Sequence, residues 1–187
     1  MTGRFEPSAT LLQGVVALTK RRIADNRGFL ERAYCSEDLA PYLGSRQIAQ
    51  INRTMTLQPH SVRGLHYQLP PHAETKVISC LRGSVFDVAV DLRAGSTTFL
   101  QWHGEILSAD NGRVLIIPEG FAHGFQTLEP DCEMLYLHTA AYSADYESGL
   151  NATDPTIGIA WPAAIANMSD RDAGLPFADR GFKGLNL

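Results

Sequence analysis

Apolar and polar residues alternate with a period of two along most of the chain, the signature of half-buried strands. The pattern predicts strands over residues 12–18, 29–34, 48–57, 62–68, 76–82, 85–92, 98–107, 113–117 and 132–139. Turn-forming runs separate them, among them Gln58-Pro59-His60, Pro70-Pro71, Arg82-Gly83-Ser84 and Asp110-Asn111-Gly112. Helical periodicity is scarce. A short helix is expected over residues 37–42, capped by Ser36, and a single turn after Ser169. Strands at this even spacing imply an all-β fold, an antiparallel sandwich or barrel with short flanking helices.

The 187 residues suffice for one domain with a real core, taken here as the whole of 1–187. Residues 163–187, rich in small and polar types, are expected to pack on the barrel as a C-terminal segment. An apolar share of 44% with 19% charged residues argues against disorder. The net charge of -4 gives no reason to expect nucleic acid. No apolar run reaches membrane-spanning length, and the N-terminus has no signal-peptide stretch. Cys35, Cys80 and Cys132 are odd in number and widely spaced, without a CxxC pair. They predict a reducing, cytoplasmic setting and no disulfide framework.

Candidate chemistry gathers in Arg63-Gly64-Leu65-His66-Tyr67-Gln68 and in Pro118-Glu119-Gly120-Phe121-Ala122-His123-Gly124-Phe125. On a strand, alternate side chains share a face. Gly64, His66 and Gln68 therefore point one way, as do Lys76, Ile78 and Cys80, and Met134, Tyr136 and His138. Simple alternation sends Arg63 to the face opposite His66; a bulge at Gly64 is needed to re-aim it. An imidazole that takes a proton, a phenol that gives one and nearby cations are the parts for moving protons beside a carbonyl. Each residue also has a plainer reading. Alone, His66 is a hydrogen-bonded core histidine, Tyr136 a half-buried aromatic and Asp172 a turn cap. His60, His72, His103 and His138 are read as surface or structural.

The spacing Gly112-x5-Pro118-x-Gly120-x2-His123 matches the second motif of the cupin superfamily. The first cupin motif normally brings two histidines and a glutamate; here it reads His66-Tyr67-Gln68, with Glu74 beyond. Glutamine is a poor metal ligand, so no metal is expected. Further motifs are Asn26-Arg27-Gly28-Phe29-Leu30-Glu31, the run from Phe86 to Arg93, and Asp154 through Trp161-Pro162. Together these resemble the dTDP-4-dehydrorhamnose 3,5-epimerase family, non-metal cupins, from about Asp25 through Asp172.

The resemblance implies a cupin-type jelly-roll barrel, no cofactor, a nucleotide-diphosphate sugar substrate and a homodimer. It implies that His66 is a general base oriented by Asp172, that Tyr136 delivers a proton to the opposite ring face, and that Lys76 lies beside the 4-keto oxygen. Arg63 and His123 correspond to residues around the keto sugar and diphosphate. Arg27, Phe29, Glu31, Gln50 and Asn52 correspond to the nucleotide-binding set, some reaching in from a neighbouring subunit, and Tyr142 to a further pocket tyrosine. The chain departs from the family in Gln50-Ile51-Asn52, where Gln-Asp-Asn is common, and at Leu100, where glycine is common. Relatives invert C3, C5 or both with the same residue set. Two other readings are a metal-dependent cupin using His66, Gln68, Glu74 and His123, and a sugar-nucleotide binding module without catalysis.

Overall fold

The computed structural model describes residues 4–179 and 181–187. In chain order the elements are β1 (Phe5–Ser8), β2 (Val16–Lys20), β3 (Ile23–Asp25), β4 (Gly28–Leu30), α1 (Ser36–Leu43), β5 (Gln50–Thr56), β6 (Val62–Gln68), β7 (Lys76–Arg82), β8 (Ser84–Asp91), β9 (Trp102–Ser108), β10 (Arg113–Ile117), β11 (Phe121–Thr127), β12 (Cys132–His138), β13 (Glu147–Gly149) and α2 (Asp170–Ala173). Six strands form one antiparallel sheet in the order β1-β2-β10-β7-β12-β5, and five form a second in the order β13-β6-β11-β8-β9. β3 and β4 make a separate two-stranded hairpin. The expected all-β jelly roll with two short helices is the observed fold.

Alternation along the strands builds the layers. In β10, Leu115 and Ile117 point between the sheets, joining Ile78, Phe121, Phe125 and Met134. Val114 and Ile116 point outward, joining Leu39 and Leu43 of α1. The five-stranded sheet is covered on its outer face as well: Val88, Val90 and Ala122 pack with Leu150, Ala178 and Leu185. β11 lies between two cores and is buried at every position. Each large apolar side chain so enclosed contributes about 1.5–3 kcal/mol relative to exposure.

Several element boundaries differ from the pattern. Residues 11–14 turn before β2, with Gly14 at φ 101°, so the strand expected from residue 12 begins at Val16. Of the strand expected at 29–34 only residues 29–30 are strand, in β4, which pairs with β3 in a hairpin closing at Asn26-Arg27; residues 31–34 belong to no strand. Residues 98–101 form a turn instead of opening β9, because Ser96 and Thr98 hydroxyls bind the fully buried Asp91 carboxylate. Cys35, not Ser36, is the N-cap of α1 and supplies no side-chain bond there.

One irregularity shapes the site. His66 pairs with His123 and Arg63 with Phe125, so three steps on β6 match two on β11. The extra residue is the bulge that Gly64 was needed to supply. Gly64 sits at φ 116°, and a Cβ there would lie 2.6 Å from both the Gly124 Cα and the His123 carbonyl oxygen. Replacing Gly64 with alanine is therefore expected to cost roughly 3 kcal/mol, by left-handed strain plus backbone overlap. Thermal unfolding checks this; a melting temperature within a degree of wild type contradicts it.

Candidate active site

A pocket of about 340 Å³ opens at one end of the barrel, where the two sheets part. The five-stranded sheet contributes Arg63, His66 and Gln68 from β6, His123 and Phe125 from β11, and Glu147 from β13. The six-stranded sheet contributes Lys76, Tyr136, His138 and three β5 residues, Gln50, Asn52 and Thr54. Strand register sets the second group in rows: Lys76 opposite His138 opposite Gln50, then Ile78 opposite Tyr136 opposite Asn52.

His66 and Tyr136 thus face the pocket from opposing sheets. The His66 Nε2 lies 2.8 Å from Asp172 Oδ1, and the Gly64 N–H donates to Asp172 Oδ2 at 3.1 Å. Ser169 caps α2 by accepting from the Asp172 N–H, which delivers the carboxylate to the bulge. Burial works to raise the Asp172 carboxyl. The bonds from His66 and the Gly64 amide outweigh it and hold the group below its ordinary value. An ionised carboxylate only accepts, so Nε2 carries the proton and Nδ1 is left as the accepting nitrogen. The His66 side chain is 30% exposed against 6% for Asp172, so the imidazole is open to the pocket while the carboxylate is covered.

Tyr136 is buried, and that burial, helped by the Asp87 charge, pushes its phenol well above the ordinary value. It remains a proton donor at neutral pH. Burial drives the His123 imidazole down, against the pull of Asp87 2.9 Å from its Nε2; Lys76 and His66 push the same way as burial. Asp87 Oδ1 is buried without a hydrogen-bond partner among the described residues. Lys76 Nζ donates to the His66 carbonyl at 3.1 Å and stands 3.5 Å from Glu74 Oε1. Arg63, turned inward by the bulge, is anchored across the pocket on Thr56 Oγ1 at 2.9 Å. At the rim, Glu147 accepts from the Tyr142 hydroxyl and pairs with Arg171. Gln50 Oε1 accepts from the Tyr142 N–H.

Nine of the residues expected at a site line this one pocket: His66, Tyr136, Asp172, Lys76, Gln50, Asn52, Arg63, His123 and Tyr142. Arg27, Phe29 and Glu31 do not. They lie on or beside the β3–β4 hairpin, where Arg27 pairs with Asp25, the Arg22 guanidinium stacks on Phe29, and Glu31 is held by Lys20 and Arg22. His138, expected to be surface or structural, is a pocket residue; its place two positions after Tyr136 on the same strand face was the available signal. Thr54, Arg171 and Glu147 are further pocket residues, and Asp87, bonded to His123, is buried behind the lining.

A metal set does not fit the residues once considered for it. Glu74 is engaged by His138 and Lys76, which leaves His66 and His123 without a carboxylate ligand from that set. Both ends of the Gln68 amide bind backbone, its Nε2 at His72 and Ala141 and its Oε1 at Ser143. No group of three or more acidic, histidine or cysteine side chains among the described residues is arranged to hold a metal ion.

Two facing antiparallel sheets with a polar pocket at one open end define the cupin class. A family model described as dTDP-4-dehydrorhamnose 3,5-epimerase matches residues 9–179. A protein of that name from Sinorhizobium fredii is 40% identical over 163 residues, 87% of this chain and 84% of its own length. Two solved structures superpose closely. A dTDP-4-dehydrorhamnose 3,5-epimerase from Bacillus anthracis, with TDP and PPi bound, has a TM-score of 0.89 at 39% identity and covers 92% of this chain and 99% of its own. A dTDP-6-deoxy-D-glucose-3,5-epimerase from Legionella pneumophila, in complex with dTDP-4-keto-L-rhamnose, has a TM-score of 0.90 at 33% identity and covers 98% and 99%. The chain belongs to the dTDP-4-dehydrorhamnose 3,5-epimerase family, a family of isomerases.

The Asp172 contacts carry a stability signature. A carboxyl whose native pKa lies below its unfolded value, about 4, contributes fully above that value and loses its contribution as pH falls through the native one. Asp172→Asn is expected to lower stability at neutral pH by about 1 kcal/mol and to flatten the wild-type loss of stability below about pH 4. Urea unfolding at pH 7 and pH 3 reads both; an equal deficit at the two pH values contradicts it.

Proposed function

We propose that this protein is a cofactor-independent epimerase of a nucleotide-linked 4-keto-6-deoxy sugar, with dTDP-4-dehydro-6-deoxy-D-glucose as substrate and C3 and C5 as the inverted carbons. The observation that carries the reading is a proton acceptor and a proton donor on opposing sheets across one pocket. The His66 Nδ1 removes the hydrogen beside the ketone, and the electron pair moves onto the keto oxygen as an enolate. The Lys76 ammonium stabilises that oxygen, a type of assistance among the largest single terms in such reactions. Tyr136 then donates its proton to the carbon from the other side, inverting it. The phenolate and imidazolium return to their starting forms by exchange with solvent. No oxidation state changes, so the scheme needs only acids and bases.

The remaining pocket residues bind in this reading. Arg63 and His123 border the keto sugar and the diphosphate. Gln50, Asn52 and Tyr142, at the open rim, take the nucleotide. Arg27, Phe29 and Glu31 complete the nucleotide site of a neighbouring subunit, so the working form is a homodimer. Support comes from exposed apolar side chains: Phe29 and Leu30 on the hairpin, and Ile51, Met55 and Leu57 on or beside the edge strand β5. Such a patch on a free edge invites a partner. The three cysteines are all free, which supports a cytoplasmic setting.

Incubation with substrate in heavy water, followed by NMR, tests the chemistry. Wild type is expected to incorporate deuterium at the inverted carbons. His66→Ala is expected to lose at least about a hundredfold in exchange, the scale of general-base catalysis, with its fold intact by circular dichroism. Tyr136→Phe is expected to exchange yet fail to invert; normal inversion by that variant removes the donor assignment. Sedimentation tests the assembly. Wild type is expected to run as a dimer and Ile51→Glu as a monomer with weakened TDP binding, whereas a monomeric, fully active wild type ends the shared-site reading.

A further inference from the structure

Three carboxylate–imidazole pairs border the pocket, and the proposed reaction employs two of them, His66–Asp172 and His123–Asp87. The third, Glu74–His138, has no part in it so far. The Glu74 side chain is 8% exposed and has a separate neighbour for each oxygen. Oε2 lies 2.8 Å from His138 Nδ1, and Oε1 lies 3.5 Å from Lys76 Nζ. Burial works to raise the Glu74 carboxyl, but His138 and Lys76 together hold it below its ordinary value. It is therefore an anion, and His138 Nδ1 is the donor.

Lys76 has three N–H bonds. One goes to the His66 carbonyl and one faces Glu74, which leaves the third for a ligand. A cation this enclosed needs a counter-charge beside it, since an unpaired buried charge is strongly unfavourable. A counter-charge pressed fully onto it would also blunt its pull on a developing enolate. Glu74 meets both demands because His138, opposite Lys76 in strand register, takes up its other oxygen. His138 is fixed in turn by its near-parallel ring contact with Tyr136, at 6.0 Å between centroids.

We propose that Glu74 and His138 are positioning residues for Lys76: the Glu74 carboxylate, pinned on one oxygen by His138, holds the ammonium where the sugar's keto oxygen gathers charge. The proposal deepens the epimerase reading and rests on it. It assigns the pair to the transition state, not to ground-state binding, and so predicts a loss in kcat with little change in KM.

Steady-state kinetics on dTDP-4-dehydro-6-deoxy-D-glucose and calorimetric titration with TDP test it. Glu74→Gln is expected to lower kcat by about a hundredfold, the scale of a displaced catalytic group. KM and the TDP dissociation constant are expected to stay within about twofold of wild type. His138→Leu is expected to lower kcat by at least about tenfold. His138→Asn, whose amide nitrogen replaces Nδ1 as a donor to Glu74, is expected to recover most of that loss. An unchanged kcat in Glu74→Gln and His138→Leu overturns the proposal, as does a loss confined to KM, or an asparagine variant as impaired as the leucine one. TDP binding shows that the variants retain the folded pocket. Wild-type enzyme is assayed first for deuterium exchange: if it fails there, the epimerase reading fails, whereas exchange-competent wild type with indifferent variants removes only the role of Glu74 and His138.

Discussion

The pocket depends on a backbone contact. β6 and β11 approach so closely at Gly64 and Gly124 that neither position has room for a Cβ: each would fall under 3 Å from the facing chain. That approach accommodates the extra residue on β6, and the extra residue breaks the alternation of the strand. Arg63 and His66, three apart and destined by period two for opposite faces, both line the pocket as a result. The same bulge frees the Gly64 N–H from the ladder, and Asp172 accepts from it. The carboxylate is thus docked through both backbone and imidazole. A C-terminal helix of four residues could not hold such a group on its own helical stability.

Burial then assigns the protonation states. Asp172 and Glu74 are enclosed, yet each has donors on both oxygens, and the donors win over desolvation. Tyr136 has no comparable cation to favour its ionised form, and desolvation pushes the phenol up. A neighbouring carboxylate, Asp87, adds to that push. Asp87 Oδ1 is buried without a hydrogen-bond partner among the described residues, an arrangement that costs about 1–3 kcal/mol for such a group. The double-sided burial of the five-stranded sheet supplies the apolar packing against which that cost is carried.

How much of this was legible in the sequence follows from which strands are half-buried. β7, β10 and β12 divide their side chains between the inner core and the α1 face, and their period of two was readable. β11 is buried on both faces and carries a histidine, a glycine and a glutamine, so neither alternation nor an apolar run marks it as a strand. β1 contains Pro7, tolerated because the strand lies at a sheet edge, a position that local sequence does not announce. At the site, the motif resemblance supplied His66, Tyr136, Lys76 and Asp172. Alternation alone joined Tyr136 to His138, but the significance of His138 lies in Glu74, 64 positions away and outside any strand. Arg27, Phe29 and Glu31 sit beside the pocket motifs in the resemblance and away from the pocket in the folded chain, on or beside the β3–β4 hairpin.

Two facing sheets are also the architecture that inversion asks for. A strand presents functional groups to one side of whatever lies against it, and a single sheet can hold a base and an acid only on the same ring face. Proton return from that face regenerates the starting configuration. With His66 on β6 and Tyr136 on β12, a ring bound between the sheets would, in the proposed reaction, meet its two proton carriers from opposite directions. The lysine must then reach the keto oxygen without blocking either approach. In the proposed reaction Lys76 does so while tethered to the His66 carbonyl. That tether ties the position of the Lys76 cation to the backbone of the strand that carries His66, so in the proposed reaction base and cation keep one spacing as each carbon beside the ketone is served.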